Sequence, residues 1–530
     1  MQYLTSVARI VPKRGAGRRT TLAVGLLAAG TVLSFSLPRI VGAGPLILAD
    51  GHYPSGDTPG TFQGPVDRAD CGPGSRPETG FQGEVTIADR ESGRSSEGYT
   101  CNLEQVGRYG PSDPQGFEGA EWQLARYKDC AYYSQRLLGM GTRGAHPTQE
   151  RPGTVVVDVS DPGHPKFAEN IDTPGMQDPW ETLKVNTRRG LLAAVNVMDG
   201  EGASFMGIYD IKDDCRHPRK LYDGPVTVLN HEGNFATDGM TYYSGGLQPG
   251  IISAIDVADP THPRLLTTFF AKFGIHGMTT SSDGSRLYLS HINEDWPYTL
   301  PSSGRGDNRT IVGGNGMGIY DLSEIQGRKP NPQVGLISAL EWQDGQIGQM
   351  TLRITKNGAP YAVEVDEAGH GAARIVDLAD ESHPTVVSKV KTQIMMPWNY
   401  ERAKSETIRP GKEDRGDLWF GYNFHYCNVD TLTDPTMLAC SAFEQGLRVF
   451  DIRDLRHPKE IAYFNPGGDG TRQPGSWAGT YSGYPAAMPQ FVPDLHELWF
   501  TDQDRGLYVV RFTNGTWLSH ATEATVSHGV

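Results

Sequence analysis

The sequence lacks the short motifs that mark several common catalytic classes. It has no GxSxG elbow, so nucleophilic hydrolysis has no support. It has no CxxC pair and no HExxH pair, so neither cysteine spacing nor local histidine spacing indicates a metal site. The Gly-rich run at 313–318 leads into a strand pattern, so it offers no helix N-terminus to a phosphate group.

Acidic residues are missing from the first 44 positions. An apolar run of 17 residues at 21–37 follows a basic cluster, and small residues come next. This order is typical of an export signal, and the run is shorter than the roughly 20 residues of a membrane span. We expect residues 1–44 to be a signal cleaved near Ala43 or Ala49, with a retained N-terminal anchor as the alternative. Arg18-Arg19 resembles a twin-arginine signal, which leaves the export route open. The six basic residues are Arg9, Lys13, Arg14, Arg18, Arg19 and Arg39.

Basic residues are too few to balance the acidic ones. The formal net charge is −14, and it becomes −20 without the first 44 residues. Such a chain repels phosphate backbones and anionic lipids, so we expect no nucleic-acid partner and membrane contact only through a retained N-terminal segment. The 65 glycines, 36 prolines and 37% hydrophobic residues favour a turn-rich all-β protein with a real core.

Cysteine is sparse but even in number. Cys427 and Cys440 flank a turn around 433–435, and an antiparallel hairpin centred there places them opposite each other, close enough to bridge. We further pair Cys71 with Cys101, which leaves Cys130 for Cys215. Disulfides behind an export signal indicate a secreted, periplasmic or cell-envelope protein.

One strand motif recurs six times and ends in an aspartate. Its copies lie at 153–165, 206–218, 252–263, 317–330, 373–384 and 447–458, and a degenerate copy lies at 506–512. Repeats of this length, each with several short strands, are typical of propeller blades. Counting the inner strands predicts seven blades, and the fold class is therefore an all-β, seven-bladed β-propeller. The anchor aspartates are Asp158, Asp210, Asp256, Asp321, Asp377 and Asp451.

The chemistry of the motif explains how each copy ends. Alternating Val or Ile residues predict a strand, and the aspartate can then turn back onto its own backbone. A proline cannot continue a β-ladder, so the His-Pro pair that follows takes the chain out of the sheet. We therefore interpret the histidines of these pairs as structural turn residues. They are His164, His217, His262, His383 and His457.

The chain divides into four parts on this pattern. After the signal, residues 45–120 form a Gly/Pro-rich N-terminal segment, residues 121–515 form the propeller, and residues 516–530 form a C-terminal tail. We expect FQGEVTIADR at 81–90 to supply a strand that closes the ring with the C-terminal blade and so protects both edges.

The motif resembles the LVIVD repeat of bacterial surface and exported propellers. The resemblance covers about 155–512 and rests on the V-x-D-[VIL]-x-D-x-x-x-P core, as in VVVDVSDPGHP. The stretches 97–110 and 178–195 are also similar to exported LVIVD-repeat proteins, whose function is uncharacterised. This resemblance implies a propeller and says little about activity. The YDLS segment at 320–323 resembles the selenium-binding/methanethiol oxidase propellers, which are linked to copper, although the chain lacks their usual C-terminal ending.

Four residues at the starts of inner strands are candidate ligands. Propellers bind ligands in the central channel or on the face where loops enter the inner strands, and Glu181, His231, His276 and His425 hold such positions. Converging imidazoles could hold Cu, Zn or Fe, with Glu181 or Glu232 as an oxygen ligand. The alternative is that each histidine satisfies local backbone groups or lines a water-filled channel.

Two functions follow from these patterns. The first is an exported binding or scaffold propeller that recognises a protein or small-molecule ligand through long face loops at 291–316, 395–417 and 466–484. The second is a metal-dependent propeller enzyme, an oxidoreductase, with His231, His276 and His425 as ligands. The sequence assigns no catalytic residue, substrate or oligomeric state, and it leaves open whether the chain is an enzyme.

Overall fold

The structure is a computed structural model of the chain. The expected export signal lies outside the residues that it describes. These are 64–110, 120–135, 153–196, 203–228, 230–247, 250–271, 273–292, 315–342, 345–368, 371, 373–399, 402–403, 421–470 and 481–519.

Seven antiparallel sheets form seven blades, which confirms the predicted fold class and blade count. In blades 1 to 5 each strand pairs with the strand that follows it in the chain, and the motif strand is the third of the four. Blade 1 consists of β3 (Ala120–Tyr127), β4 (Cys130–Gln135), β5 (Thr154–Asp158) and β6 (Lys166–Ile171), and blade 2 consists of β7 (Lys184–Asn186), β8 (Leu191–Val195), β9 (Ala203–Asp210) and β10 (Arg219–Val228). Blade 3 consists of β11 (Glu232–Phe235), β12 (Thr241–Gly246), β13 (Ile251–Asp256) and β14 (Arg264–Phe270), and blade 4 consists of β15 (Gly274–Thr280), β16 (Arg286–Ile292), β17 (Gly316–Asp321) and β18 (Gly335–Glu341).

The last two blades borrow strands from the N-terminal segment. The strand β1 (Tyr99–Cys101) adds a fifth strand to blade 6, and β2 (Leu103–Tyr109) adds the fourth strand of blade 7. Blade 5 consists of β19 (Gln346–Lys356), β20 (Ala359–Ala368), β21 (Ala373–Asp377) and β22 (Thr385–Val390). The other strands of blade 6 are β23 (Cys427–Val429), β24 (Met437–Ser441), β25 (Leu447–Asp451) and β26 (Lys459–Asn465). Those of blade 7 are β27 (Gln490–Val492), β28 (Glu497–Asp502) and β29 (Gly506–Phe512).

Helices are short in the described part of the chain. The α-helices α1 (Ile87–Ser92) and α2 (Ser323–Gln326) have six and four residues. None of the described helices is long and apolar enough to cross a membrane. Single 3₁₀ turns occur at Arg94–Glu97, Pro174–Met176, Gln393–Met395, Pro397–Asn399, Phe443–Gln445 and Pro493–Leu495.

The N-terminal segment closes the ring, but not through the residues that we expected. The stretch 81–90 contains the start of α1 instead of a strand, because Thr86 caps the helix by accepting a hydrogen bond from the Asp89 amide. The strand β2 pairs with β29 instead, from Leu103 opposite Phe512 to Tyr109 opposite Leu507. Closure by the N-terminal segment is thus right, and its location at 81–90 is wrong.

The anchor aspartates end the motif strands by the predicted turn. In all six copies Oδ1 accepts the backbone N–H two residues later, at 2.8–3.1 Å. In five copies a second aspartate follows, and its Oδ2 lies 2.8–3.1 Å from Nδ1 of the motif histidine. Those histidine side chains are 56–88% exposed, so they act as turn residues at the surface.

The core lies between the blades. The motif strand β5 is an example, and its two packed faces explain why its sequence is apolar throughout. Val155 and Val157 pack in a cluster with residues of blade 7, including Trp499, whereas Val156 faces a cluster with residues of blade 2, including Leu192. All three valines have no exposed surface. Burying one such side chain stabilises the fold by about 1.5–3 kcal/mol, so each blade depends on a neighbour at both faces.

Three disulfides form with the expected pairing, Cys71–Cys101, Cys130–Cys215 and Cys427–Cys440. Cys427 lies directly opposite Cys440 in the β23–β24 ladder, as the hairpin argument requires. Cys130 on β4 and Cys215 after β9 connect blades 1 and 2. The bridges indicate an oxidising, extracytoplasmic environment.

The C-terminal end of the described chain packs on the propeller. The expected tail begins at 516, yet Trp517 packs against Phe491 and Phe512, with ring centroids 6.2 and 5.2 Å away. The packed region therefore reaches into the part that we assigned to the tail.

Ring closure predicts a large effect of a small change in β2. Leu103 is 3% exposed and packs in the core of blades 6 and 7, so we expect Leu103→Ala to lower the free energy of unfolding by about 2–5 kcal/mol. Glu104→Ala, at the exposed next position of the strand, is the control and should change it by less than about 0.5 kcal/mol. Urea unfolding followed by tryptophan fluorescence measures both variants. If Leu103→Ala lowered the free energy of unfolding as little as the control does, β2 would not hold the ring.

The disulfides should differ in their contribution because they close loops of different length. Cys130 and Cys215 are 85 residues apart, and Cys427 and Cys440 are 13 apart. Loop-closure entropy then makes the double alanine variant at Cys130 and Cys215 less stable than that at Cys427 and Cys440 by about 1.7 kcal/mol. Urea midpoints of the two variants compare them, and the reverse order would contradict the entropic argument.

Candidate functional site at the propeller axis

The first strands of the blades surround the axis. Contacts join β3 to β7, β7 to β11, β11 to β15, β15 to β19, β23 to β27 and β27 to β3. The four candidate ligands occupy this inner ring. Glu181, His231 and His425 lie within three residues before the starts of β7, β11 and β23, and His276 lies within β15. Four different blades therefore contribute to one place.

Local irregularities aim two of the axial side chains. His276 lies where the β15–β16 register shifts, and Gln349 lies at a similar shift between β19 and β20. Such bulges redirect a side chain out of the regular alternation of a strand. A Cβ atom at Gly277 would lie 2.6 Å from the Gln349 carbonyl oxygen, so glycine allows β15 and β19 to approach closely beside the bulges.

Glu181 is the centre of the cluster. Its Oε2 lies 3.1 Å from Nε2 of His231 and 3.5 Å from Nε2 of His276, and its Oε1 lies 3.4 Å from Nε2 of His425. The His231 side chain is 14% exposed, and those of Glu181, His276 and His425 are 1–3% exposed. The structure thus brings together all four residues that the sequence singled out.

Three of these residues have the spacing of a metal site. One ligand atom each from Glu181, His231 and His276 lies within 4.8 Å of the others, and His425 does not belong to this set. Ligand atoms bound to one ion at about 2 Å lie roughly 3–4 Å apart, so a small adjustment would suffice. Among the described residues His276 Nδ1 is buried and has no hydrogen-bond partner, and an ion or a water commonly completes a polar atom of this kind.

Burial and charge set the protonation of the cluster. Burial raises the pKa of Glu181, but the three surrounding imidazoles outweigh it, and its pKa lies well below the usual range. Burial lowers the pKa of His276 to about 3. His276 is therefore a neutral imidazole at neutral pH, the form that binds metal ions, next to an ionised carboxylate.

A lysine, a glutamate and a tyrosine form a second layer around the cluster. The positions of the strand starts in the sequence did not show that these three residues lie together. Lys184 Nζ lies 3.1 Å from Glu232 Oε1, and the Tyr426 hydroxyl donates to Glu232 Oε2. Glu232 Oε2 is 3.9 Å from Nδ1 of His276, which connects this layer to the cluster. Burial raises the pKa of Glu232, although Lys184 opposes that shift.

Two further residues were missed because they lie away from strand starts. Gln349 donates from Nε2 to Glu181 Oε1 at 2.8 Å, and Oε2 of Glu367 lies 3.1 Å from Nε2 of His425. Gln349 lies inside β19, and Glu367 lies near the end of β20, the second strand of its blade. The survey of inner-strand starts could not find them, because only the ring of blades brings them to the axis.

Aromatic side chains cover one side of the cluster. Trp122 packs on His425 with ring centroids 5.0 Å apart, and Trp180 lies 5.8 Å from His231. The two tryptophan rings are themselves 5.3 Å apart. Trp180 has a φ of 47°, a left-handed backbone that a bulky residue rarely adopts and that is often found at functional sites.

The motif histidines do not join this cluster. They remain in their exposed turns. Most residues of the three long face loops lie outside the described part of the chain.

The comparisons support the repeat and leave the function open. The sequence model of the LVIVD repeat matches residues 151–173, so the chain carries an LVIVD repeat; the resemblance to selenium-binding propellers is not shown. No curated protein matches the chain.

Several solved structures are weakly similar to the chain. A candidate 6-phosphogluconolactonase from Bacteroides uniformis is 12% identical over 72% of this chain and 89% of that one, with a TM-score of 0.45. Kuenenia stuttgartiensis hydrazine synthase is 11% identical over 74% and 96%, with a TM-score of 0.44. A functionally unknown Desulfotomaculum acetoxidans protein is 10% identical over 66% and 85%, with a TM-score of 0.40. Likenesses this weak carry no argument about activity.

Removal of the Lys184 ammonium group tests the charge balance of the site. We expect Lys184→Met to lower the free energy of unfolding by about 3 kcal/mol at pH 8 in the presence of a chelator, because the buried Glu232 carboxylate loses its cation. Arg453→Met breaks an exposed pair with Asp451 and should cost less than about 1 kcal/mol. Urea unfolding compares the two, and equally small losses would mean that Glu232 carries no charge.

Proposed function

We propose that this chain is an exported, metal-dependent propeller enzyme of the oxidoreductase class. The observation that carries the proposal is the set formed by Glu181, His231 and His276, whose ligand atoms lie within 4.8 Å of one another at the axis. Imidazoles that merely satisfied local backbone groups would have no reason to converge on one carboxylate from separate blades. The three disulfides support an extracytoplasmic location, and the N-terminal signal pattern supports export.

The donor set favours redox chemistry. Two imidazoles and one carboxylate, with other coordination positions left open, are the ligands of many iron oxygenases, and Cu and Zn also accept imidazole donors. When bound, iron or copper would supply electron transfer or oxygen activation. The residues of the chain orient the site: Gln349 donates to Glu181, Lys184 holds Glu232, and the tryptophans restrict water.

The alternative, a binding or scaffold propeller without a metal, depends on the face loops. Most residues of those loops lie outside the described part of the chain, and what favours the metal-dependent function is the set formed by Glu181, His231 and His276. A protein or small-molecule partner stays a prediction from the sequence.

Metal content tests the proposal directly. The exported, untagged protein should retain at least one equivalent of iron or copper after desalting, and a His231→Ala/His276→Ala variant should lose it, because two of three ligands are gone. A His217→Ala/His262→Ala variant, which changes two exposed turn histidines, is the matched control and should keep the metal. Elemental analysis measures the metal, and circular dichroism checks folding.

The outcomes separate the parts of the proposal. A folded parent that retains no metal, even after incubation with Fe(II), Cu(II) and Zn(II), would leave a binding propeller as the function. Retention of zinc alone would contradict electron transfer or oxygen activation at the metal, since zinc does not change its oxidation state, and would direct the search to Lewis-acid chemistry such as hydrolysis.

A further inference from the structure

The two carboxylate oxygens of Glu181 have different surroundings. Oε2 lies 3.1 Å from Nε2 of His231 and 3.5 Å from Nε2 of His276, so it faces the other ligands of the proposed metal site. Oε1 has other neighbours, because it accepts a hydrogen bond from Nε2 of Gln349 at 2.8 Å and lies 3.4 Å from Nε2 of His425. One oxygen is therefore open to an ion, and the other already has a donor.

The hydrogen bond to Oε1 can run in one direction alone. A carboxylate that binds a metal ion is ionised and only accepts hydrogen bonds, so the amide nitrogen of Gln349 must face it. Gln349 has no exposed surface, and a hydrogen bond shielded from bulk water is electrostatically stronger than one at the surface. The donor is thus well placed to keep Oε1 occupied.

The backbone beside Gln349 fixes the position of its amide group. Gln349 lies between two pairs where the register of β19 and β20 shifts, which is a bulge. Two residues earlier, Ile347 has a φ of 58°, which a β-branched residue rarely adopts. A Cβ atom at Gly348 would lie 2.6 Å from Oγ of Ser290, so this part of β19 packs closely on β16. Irregular backbone of this kind is often found where a side chain must be held for function.

We infer that Gln349 is a positioning residue that limits Glu181 to binding the metal ion through Oε2 alone. This inference rests on the proposed function, because it needs an ion held by Glu181, His231 and His276. With one donor atom from each of these residues, an octahedral ion keeps three open positions, and a carboxylate bound through both oxygens would take one of them. Gln349 thus reserves one coordination position for a ligand from outside the protein.

The reserved position bears on the class of substrate. Three open positions accept a small molecule that chelates the ion through two adjacent oxygen atoms and leave one position for a second reactant. Two open positions accept the chelating molecule alone. The hydrogen bond from Gln349 therefore favours a chelating substrate that reacts with a second ligand of the same ion.

A second buried glutamine makes the same kind of hydrogen bond away from the cluster. Gln82 donates from Nε2 to Oε2 of Glu460 at 2.9 Å, and it has no exposed surface. Glu460 lies on β26 of blade 6 and is not among the residues with metal-site spacing. Gln82→Met is therefore the matched control for Gln349→Met, since each variant removes one buried amide donor from one carboxylate oxygen.

Infrared difference spectroscopy tests how Glu181 binds the ion. The full chain is stripped with a chelator, saturated with Co²⁺ and compared with the metal-free protein. The antisymmetric and symmetric stretches of a carboxylate are widely separated when one oxygen binds a metal and closer together when both bind. We expect the wide separation in the parent and in Gln82→Met, and the narrow one in Gln349→Met, because Oε1 has then lost its donor. A merely structural role of Gln349 would lower stability and leave the separation unchanged.

Titration with a chelating ligand measures the reserved position. Acetohydroxamate, which binds metal ions through two oxygen atoms, is added to the Co²⁺-saturated protein, and the visible absorption of cobalt reports its binding. We expect Gln349→Met to bind acetohydroxamate at least about tenfold more weakly than the parent, because Glu181 must first release one oxygen. Gln82→Met should bind it as the parent does.

The parent protein alone decides the question if Gln349→Met does not fold. A narrow separation in the Co²⁺-loaded parent would overturn the role of Gln349 and leave the proposed function standing. An unchanged separation in a Gln349→Met protein that circular dichroism shows to be folded would overturn that role as well. No binding of Co²⁺, Fe(II), Cu(II) or Zn(II) by the parent would overturn both the role of Gln349 and the proposed function.

Discussion

Closure of the ring is the constraint on which the other features depend. Each blade is a sheet with apolar side chains on both faces, as Val155, Val156 and Val157 of β5 show, and a sheet of this kind is stable only between two neighbours. A row of blades leaves two uncovered faces, and a ring leaves none. The pairing of β2 with β29 joins the N-terminal segment to the last blade, and the contact of β27 with β3 completes the inner ring.

The same closure creates the site. Glu181, His231, His276 and His425 come from four blades, and no pair of them is close in the sequence. The ring brings their side chains to a common axis, where burial removes water and makes each charge depend on its neighbours. That setting explains why Glu181 stays ionised among three imidazoles while burial lowers the pKa of His276.

Periodic features of the fold were predictable because they are local. The alternation in the motif strand, the aspartate that accepts the amide two residues later and the proline after the histidine act over a few residues, and they specify a blade end wherever they occur. The Cys427–Cys440 bridge is local in the same sense, since one hairpin places both residues. The closing strand was misplaced because 81–90 and 103–109 both contain apolar residues interspersed with polar ones. Only pairing with the edge of β29 selects 103–109.

By itself the sequence determined the repeat, the blade count, the Cys427–Cys440 bridge and the four residues at strand starts. Those properties follow from turn chemistry, from strand period and from the constant place of a position within each blade. The tertiary structure alone decided that Glu181 lies at the centre, that Glu367 and Gln349 join it, and that Lys184 holds Glu232. The reason is that distances across the axis depend on the number of blades, the bulges in β15 and β19 and the packing of every interface, and none of these is encoded in the neighbourhood of a single residue.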